Sequence, residues 1–333
     1  MLRTVYVVPE LSERPPGFVG PDLSPQGLEL KPRRLGDGVY ALLANTPPKD
    51  NNGLVVGDNA ALVIDAGVTP QIGRQLQRLA ARLTDRPIAY LANTTFHGDH
   101  TFGNAAFPQQ VIVVSSRANK AAMDDLDREK RLRGESMHAD PATLAGIQDW
   151  RRPDVAFDQY LELDLGGRTV ELWHFGPGNG PGDVLVHVPD AKVTWTGNFL
   201  GRAGIPPMLL IGDPVTYTAS LRAMRDTLDV DRLVPGHGFM ADARPATDWM
   251  LGYLERLWEA VSQRRAGGQP LEAMLEEIPL WDAIRLPPFL PRARRLARLI
   301  RDLHRLNILA THQWLQRQEA PGTEPTLPAV EGS

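Results

Sequence analysis

Strand-like and helix-like segments alternate twice along this chain of 333 residues, and this alternation constrains its fold most strongly. The runs "GVYALLANT" and "GLVVGDNAALVIDAG" are rich in β-formers, and helical spacing follows over residues 72–83. A second series of strands, between residues 157 and 195, precedes a helical pattern at 221–228. Two β-layers with helices on their outer faces would bury both series, so the pattern predicts an α/β sandwich.

Shifts in composition divide the chain into four predicted parts. Residues 1–37 are rich in Pro and Gly and lack periodicity, which predicts an N-terminal arm on the domain surface, with regular structure beginning near Gly38. The α/β domain is predicted over 38–242. Segment 243–319 is almost entirely helical in pattern and predicts a C-terminal helical extension or lid. Residues 320–333, rich in Pro, Glu and Gly, are predicted to be a disordered tail.

Charge and composition narrow the function classes. The chain has 36 basic and 40 acidic residues, a balance that gives no electrostatic reason to bind nucleic acid or an anionic membrane. The N-terminus lacks the apolar region of a secretory signal, and no apolar run reaches the length of a membrane span. We therefore expect a cytoplasmic protein whose partner is a small or carrier-bound molecule. A homo-oligomer is compatible with the sequence.

Four side chains suited to metal binding follow strand-like segments. His97, Asp99 and His100 come shortly after "IAYLANT", and Gly98 allows the sharp turn that their convergence requires. His237 lies between two glycines in "VPGHG", at the end of another predicted strand. With no cysteine in the chain, a metal ion must be held by His, Asp, Glu or Asn. The pattern therefore predicts a metal site at the strand ends.

Five short motifs, in order, resemble landmarks of the metallo-β-lactamase-fold superfamily between about Gly38 and Gly238. They are "VIDAG", "NTTFHGDHTFGN", "GPGNGPGDV", "WTGN" and "VPGHG". The resemblance implies an αββα sandwich with a metal site at one edge, between the two β-layers. Asp65 of "VIDAG" is expected to fix a turn near that site or to support a ligand.

The resemblance also implies an incomplete two-metal motif. The family's first ion is held by three histidines, and the corresponding positions are Thr95, His97 and Asn179. The second ion is held by one aspartate and two histidines, and the corresponding positions are Asp99, His100 and His237. The aspartate that bridges both ions corresponds to Asn198. Because only the second set is intact, we expect one divalent ion, zinc before iron, with water as a further ligand.

These features predict a metal-dependent hydrolase that attacks an ester, thioester, lactone or amide. Asp99, His97 and Asn198 are the candidate catalytic residues, with Asp99 as a ligand or a base and Asn198 orienting the water. The apolar loop "GRAGIPPMLLIGDP" predicts a hydrophobic acyl or polycyclic substrate and three contact residues, Arg202, Met208 and Leu209. Two alternatives stay open: a metal-free or weakly metallated enzyme of the cyclase or lyase type, and a binding scaffold without chemistry.

Overall fold

The first of two β-sheets is built entirely from the N-terminal half of the protein. The computed structural model describes residues 13–137, 141–211, 213–287, 289 and 293–319. Within these residues, the first sheet has seven strands in chain order. They are β1 (Leu30–Gly36), β2 (Val39–Ala44), β3 (Asn52–Val56), β4 (Ala61–Ile64), β5 (Ile88–Ala92), β6 (Ile112–Ser116) and β7 (Val155–Phe157). β1 to β4 pair antiparallel, and β4 to β7 pair parallel.

The second sheet has six strands among the described residues, in the order β13-β12-β11-β10-β9-β8. They are β8 (Tyr160–Asp164), β9 (Thr169–Trp173), β10 (Leu185–Val188), β11 (Val193–Gly197), β12 (Arg232–Pro235) and β13 (Ala241–Asp242). β11 and β12 pair parallel, whereas the other neighbours pair antiparallel. Apolar side chains of both sheets meet in one core layer between them.

Helices cover the outer faces of both sheets. In chain order they are α1 (Pro70–Leu83), α2 (Gly98–Thr101), α3 (Arg117–Ala122), α4 (Leu126–Met137), α5 (Pro141–Ala145), α6 (Pro214–Thr227), α7 (Ala243–Ala266), α8 (Leu271–Glu277) and α9 (Ala293–Glu319). The apolar face of α1 packs on the first sheet, and α6 to α9 contribute to a separate core on the second sheet. None of the helices in the described part of the chain is long and apolar enough to cross a bilayer.

The start of α1 shows how local sequence fixes these elements. Thr69 is extended, and its hydroxyl accepts a hydrogen bond from the backbone N–H of Ile72, while Pro70 occupies the first helical turn, where no N–H is needed. Ile72, Leu76 and Leu79 are buried on one side of the helix. The helical spacing predicted for residues 72–83 is therefore observed.

The predicted two-layer sandwich and its C-terminal helical extension are confirmed. The expectation that regular structure begins near Gly38 is wrong, because Leu30–Gly36 forms the edge strand β1 against β2. Pro32 is compatible with a strand there because an edge strand does not need every N–H for pairing. The division of the chain into domains stays a prediction, and the tail at 320–333 lies outside the described residues.

The buried indole of Trp195 connects the two sheets. It is 2% exposed, and its N–H donates to the backbone oxygen of Asn52 at 3.1 Å. A Cβ at Gly53 would lie 2.5 Å from the indole nitrogen, so the two strands depend on glycine for this approach.

We expect Trp195→Ala to lower the free energy of unfolding by about 3–5 kcal/mol, the usual cost of removing a large buried side chain. The cavity and the unpaired oxygen of Asn52 both contribute. Urea unfolding measures the change, with Val215→Ala, at a residue 48% exposed, as the matched control. A loss equal to that of the control would show that the indole does not hold the sheets together.

Candidate metal centre

Four side chains converge where the loop before β3 meets the segments that follow β5 and β12. Asp50, Asp99, His100 and His237 each offer one ligand-type atom, and these atoms lie within 4.8 Å of one another. Asp99 and His100 belong to α2, directly after β5, and His237 follows β12. Since β5 and β12 lie in different sheets, the cluster occupies one edge of the sandwich between the layers.

The two histidine rings of the cluster are oriented by acceptors on their outer sides. Nδ1 of His100 lies 2.9 Å from Oδ2 of Asp65, and Nδ1 of His237 lies 2.8 Å from the backbone oxygen of Pro48. When the rings are neutral and each Nδ1 carries the proton, each Nε2 presents a lone pair, which is the state that binds an ion. The two Nε2 atoms face each other at 3.3 Å.

The carboxylate of Asp99 completes the inner face of the cluster. Its Oδ2 lies 3.5 Å from Nε2 of His100 and 3.3 Å from Nε2 of His237. Both oxygens of Asp99 are buried without a hydrogen-bond partner. Two imidazole lone pairs and a carboxylate that accepts no hydrogen bond form a donor set that suits a divalent cation. The residues present therefore fit a divalent metal ion.

Electrostatics inside the cluster are strongly perturbed. Desolvation by burial acts to lower the pKa of His100, but the carboxylates of Asp65 and Asp99 outweigh it and raise that pKa to about 9. Desolvation likewise opposes the shift at His237, where Asp50 and Asp99 raise the pKa to about 10. For Asp99, the effect of desolvation is exceeded by the neighbouring cationic groups, and its pKa falls below the ordinary value. Positive charge is thus favoured at this point.

These shifts lead us to expect that Zn²⁺ binding weakens as the pH falls. With raised pKa values, the imidazoles of the metal-free protein hold protons up to about pH 9, and a metal ion must displace them because only deprotonated ligands bind. The apparent affinity for Zn²⁺ should therefore rise with pH until the pKa values of both histidines, about 9 and about 10, are passed. Competition with a chelator at a series of pH values measures it. An affinity independent of pH between about pH 6 and pH 8 would contradict this expectation.

Asp65 contacts the ring of His100 on the side that faces away from the cluster. Its Oδ1 accepts from the backbone N–H of Thr94 at 2.8 Å, and its Oδ2 accepts from the Thr94 hydroxyl at 2.7 Å and from His100. Asp65 has a positive φ of 58°, which turns the chain sharply after β4 and directs the carboxylate at these donors. It thus fixes both the turn and the ring of His100, the two roles considered for it from sequence.

Three functional candidates were missed by sequence reasoning. Asp50 belongs to the cluster, and Glu129 and Arg133 of α4 lie behind it. Glu129 accepts from the N–H of Gly98 at 2.6 Å and pairs with Nε of Arg133 at 2.8 Å, and Nη1 of Arg133 lies 3.8 Å from Oδ1 of Asp99. An acid and a base four positions apart in a polar helix are typical of a surface pair, so only their burial shows their role.

The positions corresponding to the family's first ion are used differently. The amide of Asn179 donates to the backbone oxygen of Met208 at 2.7 Å. Nδ1 of His97 lies 2.9 Å from Nδ2 of Asn198, and Thr95 is fully buried. None of these residues belongs to the metal-type cluster found among the described residues.

An apolar cavity opens beside the cluster of Asp50, Asp99, His100 and His237. It is partly open to solvent, and both His97 and His237 reach its wall. One side is the apolar face of α9, formed by Leu296, Leu299, Ile300 and Leu303. The opposite side includes the loop residues Ile205, Pro206, Pro207 and Met208.

The predicted substrate residues divide by placement. Met208 lines the cavity, whereas Leu209 is fully buried in the core on the second sheet and Arg202 is exposed to solvent. Asn307 of α9 holds the loop on both sides of Met208. Its Oδ1 accepts from the N–H of Leu209 at 3.0 Å, and its amide donates to the oxygen of Pro207 at 2.9 Å. Of the pair, only Met208 therefore meets the cavity.

The chain was also compared with known proteins. A family model described as the Metallo-beta-lactamase superfamily matches residues 46–237, more than half of the chain. A linear primary-alkylsulfatase from Pseudomonas sp. (strain ATCC 19151) is 22% identical over 233 residues, covering 60% of this chain and 43% of the relative. The chain therefore spans less than half the length of that curated relative.

Two solved structures share the fold at low identity. A metallo-beta-lactamase from Pontibacter korlensis superposes with a TM-score of 0.51 and 18% identity, covering 68% of this chain and 99% of that one. A stereoselective inverting sec-alkylsulfatase from Pseudomonas sp. superposes with a TM-score of 0.61 and 15% identity, covering 86% of this chain and 50% of that one. The second superposition extends over more of this chain than the family model does.

Proposed function

The chain belongs to the metallo-beta-lactamase superfamily, and we propose that it is a hydrolase that holds one divalent ion and cleaves an ester-type bond in a substrate with an apolar chain. The observation that carries this proposal is that the cluster of possible metal ligands lies directly beside the apolar cavity. His237 offers Nε2 to the cluster and also lines the apolar cavity. A bond beside the cluster can therefore be attacked while the rest of the substrate lies against α9.

The proposal of a single ion rests on what replaces the first site. Asn179 uses its amide to hold the loop at Met208, and His97 is paired with Asn198, a neutral group where the family has a bridging carboxylate. Two ions close together repel and need such a negative bridge. The remaining nitrogen and oxygen donors suit zinc first, with iron as the alternative.

The substrate class follows from the cavity. Its wall is mainly Leu, Ile, Met and Pro, which favours an acyl or alkyl chain over a sugar or nucleotide. Carboxylic esters, thioesters, lactones and amides of such chains are candidates, free or carried by a partner. The similarity to two alkylsulfatases adds alkyl sulfate esters to this group.

The chain's own residues can orient the substrate. When bound, a divalent ion would polarise the scissile group and bring the pKa of a water near neutrality. With the amide of Asn198 as donor, Nδ1 of His97 accepts, and the proton of the neutral ring lies on Nε2. His97 can then donate a hydrogen bond from Nε2 to the oxygen that gains negative charge as the bond is cleaved, while Asn198 fixes the ring and Asp99, His100 and His237 would hold the ion.

The test combines metal analysis with a substrate panel. The purified protein, stripped with a chelator and reloaded with Zn²⁺ or Fe²⁺, is offered p-nitrophenyl esters, acyl thioesters, lactones and alkyl sulfates of increasing chain length. We expect about one ion per chain and hydrolysis that disappears on stripping and returns on reloading. One ion without hydrolysis of any compound would favour non-hydrolytic chemistry. No ion after reloading would favour a metal-free enzyme or a scaffold.

A further inference from the structure

Asp50 is rigidly placed within the cluster, although its residue type and position gave no signal in the sequence. It forms an isolated β-bridge with His237 and is 1% exposed. Its neighbour Asn51 donates from its backbone N–H to the oxygen of Gly236 at 2.6 Å and from its side chain to the oxygen of Pro235 at 2.9 Å. The loop that carries Asp50 is thus bound to the loop that carries His237.

The carboxylate of Asp50 has a buried oxygen without a hydrogen bond. Oδ1 lies 3.1 Å from Nδ1 of His237, but the proton on that nitrogen is donated to the backbone oxygen of Pro48, at 2.8 Å. Among the described residues, Oδ1 of Asp50 therefore accepts no hydrogen bond. A buried carboxylate in this situation is costly unless a cation compensates it.

We infer that Asp50 is a fourth protein ligand of the ion, an inference that rests on the proposed function. With Asp50, the donor set becomes two carboxylates and two neutral imidazoles, whose net charge of about −2 matches a divalent cation. The negative charge that Asn198 does not supply at the bridging position is thereby provided by the loop before β3. Zinc sites can expand to five ligands, so water or substrate still has a place.

The variant Asp50→Asn distinguishes two roles of Asp50, as a ligand of the ion or as a residue that only orients His237. Asn keeps the size and an acceptor oxygen but loses the charge, so a role limited to orienting His237 would survive. We expect the Zn²⁺ affinity, measured by competition with a chromophoric chelator, to fall at least about 100-fold. We also expect the visible spectrum of the Co²⁺-loaded protein to change in intensity, because that intensity depends on the number and type of ligands.

Asp65→Asn is the matched control, because Asp65 is an equally buried carboxylate that contacts a ring Nδ1 from outside the cluster. It should weaken Zn²⁺ binding by about 10–100-fold, as supporting residues do, and leave the Co²⁺ spectrum unchanged. If Asp50→Asn behaves in the same way, Asp50 is a supporting residue and the inference is overturned. If the wild-type protein binds neither Zn²⁺ nor Co²⁺, it is the proposed function that fails.

The wild-type protein keeps the inference testable if the Asn variant folds poorly. A crystal of the wild-type protein grown with Zn²⁺ should place an Asp50 oxygen about 2.0–2.2 Å from the ion. An ion that Asp50 does not touch would refute the assignment directly.

Discussion

Replacing His237 with Ala is expected to remove the bound ion and to lower hydrolysis by on the order of 10³-fold or more, because water is no longer activated at neutral pH. The ring supplies one of the two imidazole nitrogens, and its Nε2 lies 3.3 Å from both His100 and Asp99. Without it, the remaining donors cannot hold the ion at micromolar concentrations. Metal per chain after dialysis, and kcat/KM with the best substrate of the panel, measure the two losses together.

His97→Ala is the matched comparison. It removes a buried imidazole from the same motif but not from the four-residue cluster, so we expect about one ion per chain and a loss of hydrolysis of about 10²-fold or more from the missing hydrogen-bond donor. Retention of the ion in the His237 variant, or its loss in the His97 variant, would show that the ion lies elsewhere than proposed.

The value of kcat/KM should rise steeply with the length of the substrate chain. Each buried methylene contributes about 0.8 kcal/mol, so lengthening an acyl chain by about six carbons should raise kcat/KM by on the order of 10³-fold until the cavity is filled. In the variant Leu299→Gln, a half-buried wall residue becomes polar, and long chains should lose more than short ones. The ratio of kcat/KM for long and short esters is the readout, because it cancels effects on the ion.

Arg301→Gln provides the control for this second prediction. Arg301 is an exposed residue of α9 outside the cavity wall, so its replacement should leave the chain-length ratio unchanged. A flat dependence on chain length in the wild-type protein would mean that the substrate does not occupy the cavity. An equal change in both variants would mean that α9 acts through its packing and not through contact with the chain.

Much of the fold and part of the site followed from the sequence because short-range patterns encode them. The spacing of Ile72, Leu76 and Leu79 determines α1, and the placement of His100 and His237 after strands brings both to one edge of the sandwich. Residues whose roles depend on packing between distant segments carried no such pattern.

Asp50 illustrates this limit. It precedes two asparagines and a glycine, a combination typical of an ordinary turn, and its position beside His237 results from a β-bridge across nearly two hundred residues. Arg133 is similar, because a basic residue in a polar helix is indistinguishable from a surface residue until the helix packs. Leu209 and Met208 were grouped by composition, whereas the local direction of the backbone separates them.

The hydrogen bond from Asn179 to Met208 also links the wall of the cavity to the number of ions that the site could hold. A side chain at position 179 that bound a second ion would turn its ligand atom towards that ion and could not at the same time hold the oxygen of Met208, as the amide of Asn179 does. The shape of the cavity and a second ion would therefore compete for the same position of the chain.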